Sequence, residues 1–207
     1  MITDSQNIIE TLKLQNNATI NIYSEENLQT ITHYSYTHVT FHQNNQIYPL
    51  CAEFPLHLFL ETLQKLIKRS LSNNLKLDAS ITHDIGYLWN EWLNNDHAPL
   101  LYITDKNNDT SWIGQQYELA SHEYVSWIYN DENQNIIFEI TPAYPFGCID
   151  QQNEEELKNY TNWMQSYKPI FKTIISKETA LKWIEQATQI LNIVDENSKK
   201  LYIENKV

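Results

Sequence analysis

Strand-forming segments and segments with helical apolar spacing come in blocks along this chain, not in one-for-one alternation. Regular alternation builds a parallel sheet wrapped by helices, whereas blocks pair their strands locally and lay helices against the result. The expected fold is therefore α+β: an antiparallel sheet, a meander in the centre of the chain, packed by three to four amphipathic helices. The 207 residues, 42% of them apolar, suit a single α+β domain over 1–207, with possible sub-halves 1–76 and 77–207. No linker and no internal repeat interrupts it.

The first block reads as a short helix over Ser5 to Leu14, then β-rich stretches at Thr19–Tyr23 and Ile31–Phe41, punctuated by Asn44-Asn45. In the second stretch His33, Ser35, Thr37, Val39 and Phe41 share one face, and Thr32, Tyr34, Tyr36, His38 and Thr40 the other. From Pro55, the residues Leu56, Phe59, Leu60, Leu63, Leu66, Ile67 and Leu71 repeat at three-and-four spacing, which predicts a helix over 55–71. Ile85, Leu88, Trp89 and Trp92 predict a second helix over 83–93, ended by Asn94-Asn95-Asp96.

Four consecutive strands are then expected over 100–104, 112–120, 124–130 and 135–141, the last two joined as a hairpin by Asp131-Glu132-Asn133-Gln134. Leu157, Tyr160, Met164 and Tyr167 predict a helix that stops before Pro169, followed by an extended piece over 170–175. Ser176 reads as the N-cap of a last helix, with Glu178 in its first turn and Ala180, Ile184, Ala187, Leu191 and Val194 on one stripe.

Charge narrows the partner. Leu77–Leu157 carries 15 acids and one base, Lys106, a balance of −14; the remaining 11 acids and 13 bases leave +2. The same span holds Trp89, Trp92, Trp112 and Trp127 with six tyrosines. Fixed carboxylates steer a cationic partner and large aromatics supply contact area, so the span reads as a docking surface for something basic. The acidic balance and the single arginine, Arg69, argue against nucleic acid. Three scattered glycines exclude phosphate-cradling loops. No apolar run approaches the roughly 18 residues of a membrane span, and Met1–Ser5 do not open an export signal. A cytoplasmic monomer or homodimer, with no cofactor, is expected.

His122-Glu123 opens like a zinc-protease motif but meets Ser126 where a second histidine is needed. His38 and His42 on one strand face would stand about 13 Å apart, too far to share a metal without a bend. Cys51 and Cys148 lack any metal or redox spacing and read as buried or incidental thiols, although Cys148 with Asp150 could occupy an exposed loop. A carboxylate-based hydrolase would draw on Glu91, Glu118, Glu123 and Glu139, two of which must converge in an apolar cleft with one pKa raised. Glu154-Glu155-Glu156 reads as a helix start favoured by the macrodipole.

Several phrases resemble those of small bacterial immunity proteins, the antidotes encoded beside polymorphic or contact-dependent toxins. They are Gly86-Tyr87-Leu88-Trp89-Asn90-Glu91-Trp92, Trp127-Ile128-Tyr129-Asn130, Phe138-Glu139-Ile140-Thr141-Pro142-Ala143-Tyr144-Pro145, Tyr167-Lys168-Pro169 and Trp183-Ile184-Glu185-Gln186-Ala187. The resemblance implies a non-catalytic binder that occludes a toxin's active site, and assigns no individual contact residue. Together with the charge map it leads to an acidic protein-binding protein whose partner is basic, such as a cognate nuclease toxin. The expected contact set is Glu118, Glu123, Tyr124, Trp127, Tyr129, Asp131 and Glu132. The competing classes are the hydrolase and a structural or assembly subunit, for which a large uncharged patch at a two-fold axis would be the mark.

Overall fold

The computed structural model describes residues 6–95, 98, 100–104 and 107–204. Met1–Ser5, Asp96, Asp105 and Lys106 lie outside the described residues, and with them the expected helix end at Asp96 and part of the central charge count. The fold is α+β, with four helices and antiparallel sheets.

The first sheet is an uninterrupted antiparallel meander of β1 (Asn7–Lys13), β2 (Thr19–Ser24), β3 (Tyr36–Gln43) and β4 (Gln46–Pro55). The helix expected over Ser5–Leu14 is instead β1. Its β-branched residues pair with β2 from Asn7↔Ser24 to Lys13↔Thr19, with a bulge at Ile8/Glu10. Strand β3 begins at Tyr36, not Ile31, because the chain before it turns; Thr37, Val39 and Phe41 face the core as the alternation requires. Asn44 and Asn45, at φ +50° and +63°, form the two-residue β3–β4 turn. Two successive positive φ values match the right-handed strand twist, and asparagine tolerates them. Asn45→Val is therefore expected to cost about 1–2 kcal/mol of stability in urea denaturation, the penalty of left-handed backbone for a residue with a bulky Cβ.

The second sheet has the order β10-β9-β8-β7: β7 (Glu118–Ser121), β8 (Tyr124–Asn130), β9 (Ile136–Pro142) and, after a helix, β10 (Phe171–Ile175). The expected hairpin at 131–134 is present: Asp131 accepts from the Asn135 backbone N (2.8 Å) and Nδ2 (2.9 Å), closing the turn. The expected strand over 112–120 is broken. Thr110–Trp112 (β6) pairs only with Tyr102–Thr104 (β5), and a 3-10 turn over Ile113–Tyr117 follows. The break follows from packing: the Trp112 ring lies over Gly114, where a Cβ would stand 2.2 Å from Cη2.

Helix α1 (Leu56–Leu71) buries Leu56, Phe59, Leu60, Leu63, Leu66 and Ile67, the stripe read from spacing, each contributing about 2 kcal/mol of burial. Its first free N–H, that of Leu56, donates to the Ser35 carbonyl (2.9 Å). Helix α4 (Lys177–Glu204) starts at Ser176, whose Oγ accepts from the Thr179 N (3.0 Å), and packs along α1. It also guards the open edge of β1: Trp183 Nε1 donates to the Lys13 carbonyl and Gln186 Nε2 to that of Thr11. One core cluster runs through both sheets, α1 and α4, and aromatic pairs such as Phe41–Phe171 (4.7 Å) and Phe138–Trp183 (6.0 Å) join them.

The other face of the second sheet carries α2 (Ile85–Asn94) and α3 (Glu154–Gln165). Asp84 caps α2 and Asn153 caps α3, each accepting from two backbone N–H groups. Buried Asn90 ties this layer down, donating to the Gly86 and Pro142 carbonyls and accepting from the Tyr144 N. Tyr144, Tyr160 and Met164 form a small second core there. Among the described residues no helix is long and apolar enough to cross a membrane.

Candidate functional site

The first sheet buries one face and turns the other outward. Antiparallel register sets Tyr23 beside His38 and Asn21 beside Thr40 on that outer face. Asn21 Nδ2 donates to the Tyr23 hydroxyl (3.3 Å), while His42 Nε2 lies 2.7 Å from Thr40 Oγ1 and 3.5 Å from the Tyr23 hydroxyl. Burial lowers the His42 pKa, which favours its neutral form.

Strand β4 bulges across this face: Thr37 pairs with Phe54 but Val39 with Cys51, so two steps of β3 face three of β4. Glu53 sits in the bulge at φ +51°, its side chain exposed. Two adjoining clefts result. Glu25, Glu26, Tyr36, His38 and Glu53 line the first, of about 320 Å³. The second, of about 260 Å³, lies between His38, Ile47, Pro49 and Cys51 on one side and His122 and Glu123 of the β7–β8 turn on the other. His38 is the wall they share. Tyr36 and Ile47 are more than half exposed. No lysine or arginine is among the described residues lining either cleft, so four carboxylates ring a partly apolar trough. Burial pushes the Cys51 thiol up to about 12; it is a neutral wall and no nucleophile.

The seven residues expected to form a contact surface do not meet. Trp127 (0% exposed) and Tyr129 (3%) are core side chains on the α2 side of β8. Trp127 Nε1 donates to Thr141 Oγ1 (2.8 Å), and its ring packs edge-on to Trp112. Glu118 is half-buried, accepts from Ser121 Oγ (2.6 Å), and has its pKa raised by burial. Glu123 and half-buried Tyr124 stand at one end of β8, where Tyr124 meets Tyr48 edge-on (5.1 Å). Asp131 and Glu132 stand at the other end, roughly 20 Å away at strand rise. Hydrogen bonds from Asn135 hold the Asp131 carboxyl below its usual range, and that carboxylate staples the hairpin. Of the set, only Glu123 lines the trough.

The four glutamates of the hydrolase reading do not converge either. Glu91 accepts from the Tyr160 hydroxyl (2.9 Å) and Asn95 Nδ2 (3.0 Å) between α2 and α3. Glu154, Glu155 and Glu156 occupy the first turn of α3, as their spacing suggested. Cys148 is exposed and Cys51 buried; both are free. No cluster of three or more metal-ligating groups occurs among the described residues.

One carboxyl pair does form, between Glu139, one of those four, and Asp84, which was not among the candidates. Glu139 is fully buried in β9 and faces Asp84 at the start of α2, within hydrogen-bonding reach. Its Oε2 accepts from the Tyr129 hydroxyl and from Lys172 Nζ (2.9 Å) of β10. Asp84 Oδ1 accepts from the Tyr167 hydroxyl (2.6 Å) and from the Gly86 and Tyr87 backbone N–H groups. Burial, then the neighbouring Asp84 charge, raises the Glu139 pKa to about 7, against the opposing bonds from Tyr129 and Lys172. Burial likewise raises the phenols of Tyr129 and Tyr167. A charge inside the otherwise apolar run Ile136-Ile137-Phe138-Glu139-Ile140 was the available signal, because strands buried on both faces rarely carry one.

These features define an α+β protein whose two four-stranded sheets carry, on one, an acidic, solvent-facing trough and, under the other, a carboxyl pair of fully buried Glu139 and half-buried Asp84. No protein-family model matches the chain, and no curated protein or solved structure matches it significantly.

Proposed function

We propose that this is a non-catalytic acidic binding protein whose partner is a basic protein, a cognate nuclease toxin in keeping with the immunity-protein resemblance, and that the trough on the first sheet receives a basic segment of it. The observation that carries this reading is the pair of clefts joined at His38, ringed by Glu25, Glu26, Glu53 and Glu123 and floored by exposed Tyr36 and Ile47. Carboxylates at the rim attract lysine and arginine, and the apolar floor accepts their aliphatic stems. The docking site is thus moved from the central sheet to the outer face of the first, with Glu123 common to both. A hydrolytic role finds less support: in the Asp84–Glu139 carboxyl pair, Glu139 is sealed from solvent.

The test compares the wild type with a variant in which Glu25, Glu26, Glu53 and Glu123 are all glutamine, each immobilised and exposed to extract of the source cell. A stoichiometric cationic protein should be retained by the wild type and released by high salt. The variant should bind it with an association rate lower by about tenfold or more, the scale of electrostatic steering. Retention of the same protein by the variant at an unchanged rate would remove the trough from the interface. Recovery of no basic protein would overturn the reading.

A further inference from the structure

We propose that Asp84 and Glu139 share a single proton, and that this proton fastens the α2–α3 layer to the second sheet with a grip that loosens as pH rises toward neutrality. The geometry leaves a donor missing. Glu139 Oε2 is satisfied by Tyr129 and Lys172, while Glu139 Oε1 is buried with no hydrogen-bond donor. The neighbouring carboxyl within reach of Glu139 is that of Asp84, itself only an acceptor when ionised. Two ionised carboxyls facing each other, Glu139 fully buried and Asp84 half-buried, repel, whereas one proton between them supplies the missing donor and turns repulsion into a hydrogen bond.

The surrounding groups agree with one proton. From β8 the cluster receives the Tyr129 hydroxyl; from the segment after α3, the Tyr167 hydroxyl; from β10, the Lys172 ammonium; and β9 itself places Thr141 beside Tyr167. His83, exposed beside Asp84, packs toward Tyr87, and Asp131 of the β8–β9 turn acts on Lys172 from the far side. With one proton on the pair, a carboxylate and the Lys172 ammonium balance; with none, a net negative charge is buried. Asp84 caps α2 and Tyr167 ends the α3 segment, so the shared proton sits where both helices attach.

The sign follows from linkage. Folded Glu139 holds its proton to a higher pH than an exposed glutamic acid, so the attachment is strongest below about pH 4.5. It weakens as pH rises to about 7, and changes no further above that.

The decisive experiment is hydrogen exchange of the α2 and α3 amides of the full chain between pH 5 and 8, corrected for intrinsic exchange. In the wild type the local opening constant should rise with pH by up to about tenfold per unit, the limit for one linked proton, and level off near pH 7. In Glu139→Gln, whose amide donates permanently toward Asp84, the dependence should vanish. A pH-independent wild type, or a variant with the wild-type slope, would overturn the proposal. Should the variant not fold, carbon-13 titration of both wild-type carboxyls decides: a single proton step near neutrality seen at Glu139 and Asp84 together supports the shared proton, and a step confined to Glu139, or one in the ordinary carboxylate range, refutes it.

Discussion

Trp127→Ala is expected to destabilise the protein by about 3–5 kcal/mol, the cost of deleting a large buried aromatic side chain. The indole is 0% exposed, packs edge-on to Trp112 at 6.4 Å, and donates to Thr141 Oγ1 at 2.8 Å. Its removal opens a cavity between α2 and the second sheet and leaves a buried hydroxyl without its donor. For a chain of this size the thermal midpoint should fall by roughly 10 °C, and urea denaturation should show the same loss. The experiment also separates two roles for this residue. An anchor presented to a partner would lose binding while keeping its stability, as expected from reading the central span as a docking face. A stability change below about 1 kcal/mol would place Trp127 outside the core after all.

The second large effect is expected at Gly86, in the first turn of α2. In an exposed helix, glycine to alanine gains roughly 1 kcal/mol. Here a Cβ would stand 2.2 Å from Thr141 Oγ1, 2.4 Å from Thr141 Cβ and 2.4 Å from the Tyr167 hydroxyl. Thr141 Cβ is bonded directly to the β9 backbone and cannot swing aside, so α2 itself must lift. Lifting strains the Tyr167–Asp84 and Asn90–Pro142 hydrogen bonds together. Overpacking of this kind typically costs 1–3 kcal/mol and occasionally more. Gly86→Ala should therefore lose about 1–2 kcal/mol net, with amide exchange in α2 rising first. A gain in stability would mean that α2 does not press on β9 as closely as these distances state.

Both effects concern the layer that the sequence described least well. The α1 stripe was legible because a helix repeats its buried face every three to four residues, and all six of its large buried side chains were read from spacing alone. The Asp131–Gln134 hairpin, the acidic first turn of α3 and the Ser176 cap of α4 were legible for a similar reason: turn, dipole and capping chemistry acts within four residues. Strand β1 was not legible. Its apolar residues fit a short helix equally well, and its pairing with β2 decided the matter.

The site shows the same division more sharply. Composition located an acidic, aromatic span, yet alternation along β8 turned Trp127 and Tyr129 inward, and strand length separated Glu123 from Asp131 and Glu132. The trough gathers Glu25, Glu26, Glu53 and Glu123 from a loop, a bulge and a turn of the other sheet. The carboxyl pair joins residues 84 and 139 across a helix start and a strand centre.

By itself, then, the sequence determined the α+β class, the amphipathic helices, the turns and caps, and an excess of negative charge, since each arises from contacts between near neighbours or from simple counting. Tertiary structure alone decided which aromatics are sealed in the core, which carboxylates share a groove, and which two meet in the dark. Those outcomes depend on strand register and layer packing, which bring together groups far apart in the chain.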